Sequence, residues 1–133
     1  MIKKIDHVGM AVKNLDATLA FYRDVLGIEA QSVEDYAPDS IRTAFLKVGD
    51  AAFEIMEPTS PESPVAKFLE KRGEGMHHLS LEVDDLRAEL KKLEAKGVAL
   101  IDKVPRQGAH DTVAFVHPKS TGGILVELTE KHH

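Results

Sequence analysis

Four side chains in this sequence have the types and the spacing to hold a cation between them. His7 opens the alternating run His7-Val8-Gly9-Met10-Ala11-Val12, and His78 opens a matching one, His78-Leu79-Ser80-Leu81-Glu82-Val83. The histidines are 71 residues apart (78 − 7), as are Leu15 and Leu86 (86 − 15), where a helical pattern begins in each stretch. Glu54 in Phe53-Glu54-Ile55-Met56 and Glu127 in Val126-Glu127-Leu128-Thr129 stand 73 apart (127 − 54), each between apolar neighbours. Side chains alternate across a strand, so His7 shares a face with Gly9 and Ala11, and His78 with Ser80 and Glu82. Small and polar neighbours leave room on that face. Zn2+, Mn2+, Co2+ and Ni2+ accept mixed shells of imidazole and carboxylate, and four protein ligands on a six-coordinate ion leave two positions for a chelating substrate. A lone His at a strand start, or a lone Glu inside a strand, is ordinarily structural. The repetition of both, in step, points to a metal.

The elements that must position these groups also come twice. Ile2 to Val12 reads as a strand. Asn14 then caps a helix carrying Leu15, Leu19, Tyr22 and Leu26, which Gly27 stops. Ile28 to Val33 is expected to be a strand, Asp35 to Ser40 a loop, and Ile41 to Val48 a strand that turns at Gly49-Asp50 into Ala51 to Met56. The first copy, residues 1–57, is therefore strand–helix–three strands. Residues 58–74 hold a Pro- and Ser-rich linker and a short helix opened by Ser63-Pro64. The second copy, residues 75–133, repeats the order. It has a strand at Met76 to Val83, a helix capped by Asp84 or Asp85 and running to Lys96, and strands at Val98 to Ile101, Thr112 to Val116 and Ile124 to Thr129. Val104 to Asp111 is expected to be a loop. Leu86, Leu90 and Leu93 line one face of the second helix, which should lie on a sheet with its back in water.

At 133 residues the chain is most simply one domain of two modules. Hydrophobic residues make up 43% and charged residues 29%, which argues against disorder. The net charge of −5 gives no general attraction to nucleic acid or an anionic membrane. The absence of Cys excludes disulfide and thiolate chemistry and fits a cytoplasmic location. No apolar run reaches the ~18 residues of a membrane span, and no targeting peptide is expected. His132-His133 are native or the remnant of a tag, and carry no assigned function.

Other polar residues have weaker claims. His77 points away from His78 by alternation and is expected to be a packing residue. His110 lies beside Gly108 and Ala109 in a loop, as a substrate contact or simply exposed. The run His117-Pro118-Lys119-Ser120 ends a strand in a turn, from which Lys119 could meet an anionic group.

Several stretches carry a resemblance over nearly the whole length. They are Asp6-His7-Val8-Gly9, Ser63-Pro64-Val65-Ala66-Lys67-Phe68-Leu69, Gly75-Met76-His77-His78, and the run from Phe115-Val116-His117-Pro118 to Val126-Glu127-Leu128. Together they resemble the vicinal oxygen chelate superfamily (glyoxalase, bleomycin resistance and dioxygenase proteins), and within it the methylmalonyl-CoA epimerases. The resemblance implies an α+β fold of two tandem βαβββ modules forming a curved mixed sheet around a metal-binding cavity. It implies one divalent ion per chain on His7, Glu54, His78 and Glu127, with Co2+ first and Mn2+, Ni2+ or Zn2+ as alternatives. It also implies a homodimer acting on a small acyl-CoA in propionate metabolism.

The implied reaction is epimerisation of methylmalonyl-CoA at C2, by proton removal and return through a metal-chelated enolate. Glu127 is expected to be one acid–base group and Glu54 the other. Lys119, His110 and Arg106 are the candidate substrate contacts, the two cations for the CoA phosphates. Some epimerases carry Gln where this chain has Glu54. Some also carry an extra carboxylate on the third strand of the first module, where this chain reads Ile41-Arg42-Thr43-Ala44-Phe45. Two other functions fit the same fold: a glyoxalase I acting on the methylglyoxal–glutathione hemithioacetal, and a non-catalytic protein that sequesters a small ligand.

Overall fold

The computed structural model describes residues 1–131, so His132-His133 lie outside the described residues. The chain divides into two compact units. One is His7–His77, and the other combines Met1–Asp6 with the chain from His78 onward. Strand β1 (Ile2–Ala11) contributes to both.

In the first unit, β1 leads to α1 (Leu15–Asp24), β2 (Ser32–Tyr36), a 3-10 turn (Ala37–Asp39), β3 (Ile41–Val48), β4 (Ala51–Pro58) and α2 (Pro64–Arg72). The second unit has β5 (Gly75–Val83), whose first residues belong to the first unit, then α3 (Leu86–Ala95), β6 (Arg106–Gln107) and β7 (Thr112–Val116). A short α4 (Pro118–Thr121) and β8 (Leu125–Glu130) complete it. The strands hydrogen-bond in the order β2-β3-β4-β1-β5-β8-β7-β6. β1 runs parallel to β4 and β5 parallel to β8, while the hairpin partners β3–β4 and β7–β8 are antiparallel.

The first helix of each unit, α1 or α3, starts in the same way. The Asn14 side chain accepts from the Ala17 N–H at 2.9 Å, and Asp85 from the Ala88 N–H at 3.1 Å. A glutamate from the last strand of each module also reaches the first turn. Glu57 accepts from the Leu15 N–H and Glu130 from the Leu86 N–H, both at 2.8 Å. Carboxylates there satisfy orphan donors and oppose the positive end of the helix dipole.

The two cores follow the alternation. Val12, Leu15, Ala44, Leu46 and Ile55 bury one face of the first unit's strands under α1. Val83, Leu86, Leu90, Ala114, Val116 and Leu128 do the same under α3. Burying a leucine such as Leu15 or Leu86 contributes about 1.5–3 kcal/mol. The opposite face of the first unit carries His7, Thr43, Phe45 and Glu54; that of the second carries His78, Ser80, Phe115 and Glu127.

Some expected boundaries moved. Residues 28–31 are not a strand: Ile28 and Ala30 pack into the α1 core as irregular chain, and pairing begins at Ser32. Val98 to Ile101 makes only an isolated bridge, Leu100 to Val116. The Asp102 carboxylate accepts from the Phe115 N–H at 2.8 Å, a side chain standing where a ladder bond would have formed. The loop at 104–111 contains the two-residue strand β6, and the turn after His117 is the helix α4. The Ser63 cap and Pro64 at the start of α2 are as expected.

Candidate metal centre

His7 and Glu54 meet because β1 and β4 are parallel neighbours, with Gly9 in register with Glu54. His7 lies two residues before Gly9 on the same face, and its Nε2 comes within 3.4 Å of Glu54 Oε1. Both side chains are nearly inaccessible, with residue exposures of 7% and 9%. The Phe45 ring, opposite Glu54 on β3, meets His7 edge-to-face at 5.8 Å and 82°. Thr43 Oγ1 donates to the other carboxylate oxygen, Glu54 Oε2, at 3.2 Å.

The second unit presents the same constellation. β5 and β8 are parallel, and Ser80 is in register with Glu127. Phe115 lies opposite Glu127 on β7, and its ring meets His78 edge-to-face at 6.5 Å and 87°. His78 is buried and Glu127 half-buried. The Arg106 guanidinium lies 5.0 Å from the centre of the Phe115 ring and pairs with Asp102 at 3.3 Å.

His7, Glu54 and His78 each offer one ligand atom, and these atoms all lie within 4.8 Å of one another. Two imidazoles and a carboxylate at this separation are a donor set that suits a divalent transition metal. The face therefore fits the ion that the sequence implied. Glu127 stands on the same face of β8, beside Ser80, and is not one of the grouped three.

The remaining candidates are distributed around the second unit. Arg106, His110 and Lys119 are all exposed, on β6, in the loop before β7 and on α4 respectively. Arg106 reaches the constellation through Phe115. His117 has a structural task, its Nδ1 accepting from the Lys119 N–H at 3.0 Å to cap α4. His77 packs against Phe68 at 4.8 Å, away from His78.

Lys131 bridges Asp6 at 3.0 Å and Asp111 at 3.1 Å, tying the loop that carries His110 to the strand that carries His7. Burial pulls the Lys131 pKa down, but these two carboxylates outweigh it and hold the pKa above its ordinary value.

Sequence reasoning missed Phe45 and Phe115, although their separation of 70 residues (115 − 45) nearly matches that of the histidines. Thr43 and Ser80, whose hydroxyls also lie on this face, gave no signal either, since neither hydroxyl recurs at the equivalent place.

A family model described as the glyoxalase/bleomycin resistance protein/dioxygenase superfamily matches residues 6–115. Methylmalonyl-CoA epimerase, mitochondrial, from Dictyostelium discoideum is 38% identical over 132 residues, covering 98% of this chain and 80% of the relative. The crystal structure of methylmalonyl-CoA epimerase from Mycobacterium tuberculosis superposes with a TM-score of 0.92 at 38% identity, covering 99% of this chain and 90% of that one. The chain belongs to the methylmalonyl-CoA epimerase family of this superfamily.

An epimerase structure in complex with methylmalonyl-CoA and NH4+ has the same TM-score of 0.92 at 36% identity, with 98% and 96% of the two chains covered. The eight-stranded mixed sheet with its four helices is thus the fold of the epimerases. A probable lactoylglutathione lyase from Synechocystis is only 25% identical over 124 residues, so the glyoxalase alternative is the weaker one.

Proposed function

We propose that this chain is a metal-dependent isomerase that interconverts the R and S forms of methylmalonyl-CoA at C2. The observation that carries the reading is the His7–Glu54–His78 group in a chain of the epimerase family. His7 and His78 would hold the ion as neutral imidazoles, each ring steadied by the phenylalanine set against it. Glu54 would be the third ligand and Glu127 the fourth. When bound, the cation supplies Lewis-acid stabilisation of the negative charge that develops as the C2 proton leaves.

The protein's part is proton traffic and orientation. C2 lies between a thioester carbonyl and a carboxylate, so its hydrogen is acidic enough for a carboxylate base near neutral pH. Epimerisation removes that proton on one side and returns one on the other, which requires two acid–base groups. Glu127 takes one role and Glu54 is the repeat-related candidate for the other. Fixing C2 between these two groups would remove orientational freedom from the barrier. Arg106 and Lys119 supply positive charge for CoA phosphates on an otherwise acidic protein, and His110 lies in the loop between them.

The same reading carries Co2+ as the resident ion, one site per chain in a homodimer, a single-domain organisation of two modules and a cytoplasmic place in propionate metabolism. The family resemblance supports these, and elemental analysis with light scattering tests the metal and the dimer. Among the described residues no helix is long and apolar enough to cross a membrane. The deciding assay compares methylmalonyl-CoA with the methylglyoxal–glutathione hemithioacetal on the metal-loaded chain. Turnover of the thioester alone is expected. Turnover of the hemithioacetal alone, or full activity after rigorous metal removal, would refute the proposal, and binding without turnover of either would identify a sequestering protein.

A further inference from the structure

The repeat supplies each glutamate with a phenylalanine and a histidine, but it treats hydroxyl groups differently in its two halves. In the first, the donor is on β3. Thr43 Oγ1–H donates to Glu54 Oε2 at 3.2 Å, while Oε1 faces His7 Nε2 at 3.4 Å. Thr43 thus engages one oxygen of Glu54 and leaves the other beside His7 as a ligand atom, and turning the carboxylate would lose the hydroxyl contact. Thr43 is 2% exposed, and its β-branch makes the donor stiff.

In the second half that place belongs to Val113, which like Thr43 lies two residues before the phenylalanine opposite the glutamate. Valine has no donor. The hydroxyl instead sits on β5, at Ser80, directly in register with Glu127. Its counterpart in the first half is Gly9, in register with Glu54. Ser80 is 0% exposed, and its Oγ has no hydrogen-bond partner among the described residues. A buried hydroxyl left unpaired is destabilising, and such groups ordinarily find a partner. Glu82, on the same face, is engaged with Lys3 at 3.6 Å. Glu127, in register with Ser80 on the neighbouring strand, is the carboxylate placed to accept from this hydroxyl.

We propose that these hydroxyls make the two glutamates unequal: Thr43 pins Glu54 as a fixed ligand, and Ser80 is a positioning residue that holds the Glu127 carboxylate while it carries the C2 proton. The proposal rests on the epimerase reading above and adds a division of labour to it. Glu127 is then the mobile base, and Glu54 contributes to proton transfer less than its symmetry with Glu127 suggests.

The test uses the full chain, with Co2+ affinity from calorimetry on metal-stripped protein, kcat and KM for methylmalonyl-CoA, and thermal melts to verify folding. Loss of a group that orients a ligand typically weakens metal binding about 10- to 100-fold. T43V should show that loss and T43S should restore near-wild-type affinity. S80A should bind Co2+ and substrate as the wild type does, with kcat about tenfold lower and KM unchanged; a merely structural role would not divide the constants in this way. Wild-type Co2+ affinity in T43V, or wild-type kcat in S80A, overturns the proposal. Wild-type protein that binds Co2+ but epimerises nothing refutes the epimerase reading and the Ser80 half with it, while the T43V calorimetry still decides the Thr43 half.

Discussion

The two modules solve the same local problem and part company one side chain further out. Each places a histidine within its first strand, β1 or β5, a glutamate on its last, and a phenylalanine edge against the imidazole. Each caps the start of its helix with a strand glutamate, Glu57 or Glu130. Around the glutamates the match fails: Thr43 and Gly9 flank Glu54 where Val113 and Ser80 flank Glu127. On the proposal above, it is the first module that keeps its carboxylate still. Duplication can supply a symmetric set of ligands, but epimerisation needs groups on two sides of one carbon, and the divergence lies where it can differentiate them.

The sharpest way to break the comparison is to remove one glutamate at a time. E127A should lower kcat by about 10²–10⁴-fold, the range for losing a general acid–base group, while Co2+ still binds to the remaining three donors. E54A should instead lose Co2+ first and activity as a consequence. Calorimetry and steady-state kinetics on both variants check this; equal loss of metal in the two would make the modules equivalent after all. The histidines should behave alike, because their surroundings do. H7A and H78A should each weaken Co2+ by more than the roughly 100-fold upper range seen when only a supporting hydrogen bond is lost. Chelation followed by dialysis should abolish activity, and added Co2+ should restore it.

How much of this was legible in the sequence depends on whether the signal repeats. His7, His78, Glu54 and Glu127 could be singled out as candidates because type and spacing recurred together, and the caps at Asn14 and Asp85 were legible because helix starts have their own chemistry. Thr43 and Ser80 could not, since a hydroxyl on a strand becomes functional only through its cross-strand neighbour. Ile28 and Ala30 alternate as a strand would, yet they fill the α1 core from irregular chain, a tertiary outcome that periodicity cannot distinguish. The strand expected at 98–101 is reduced to a single bridge, with the Asp102 side chain competing for the Phe115 amide.

A smaller effect examines the scaffold. Leu15 and Leu86 hold the same place in the two repeats and are 0% and 1% exposed. L15A and L86A should each destabilise by about 2–5 kcal/mol, read as a shift in urea midpoint at constant slope. A large difference between them would show that one module is looser and relaxes around the cavity.

The smallest expected effect belongs to a contact with no counterpart in the first module. Lys131 bridges Asp6 and Asp111, whereas the equivalent position 73 residues earlier (131 − 73) is Pro58, which carries no charge. The Lys131 side chain is 32% exposed, so solvent screening limits its contribution to about 0.5–1 kcal/mol. Its pKa in the folded chain is raised above the ordinary 10.5. The folded state therefore holds this proton more tightly than the unfolded state does, and the stabilisation is complete below the unfolded pKa and fades as pH rises through the folded one. The gap in melting temperature between wild type and K131M should accordingly stay constant from about pH 6 to 9 and close above about pH 10.5. A gap that persisted at high pH would mean that the lysine acts through its apolar stem, and that the loop carrying His110 is held by packing instead of charge.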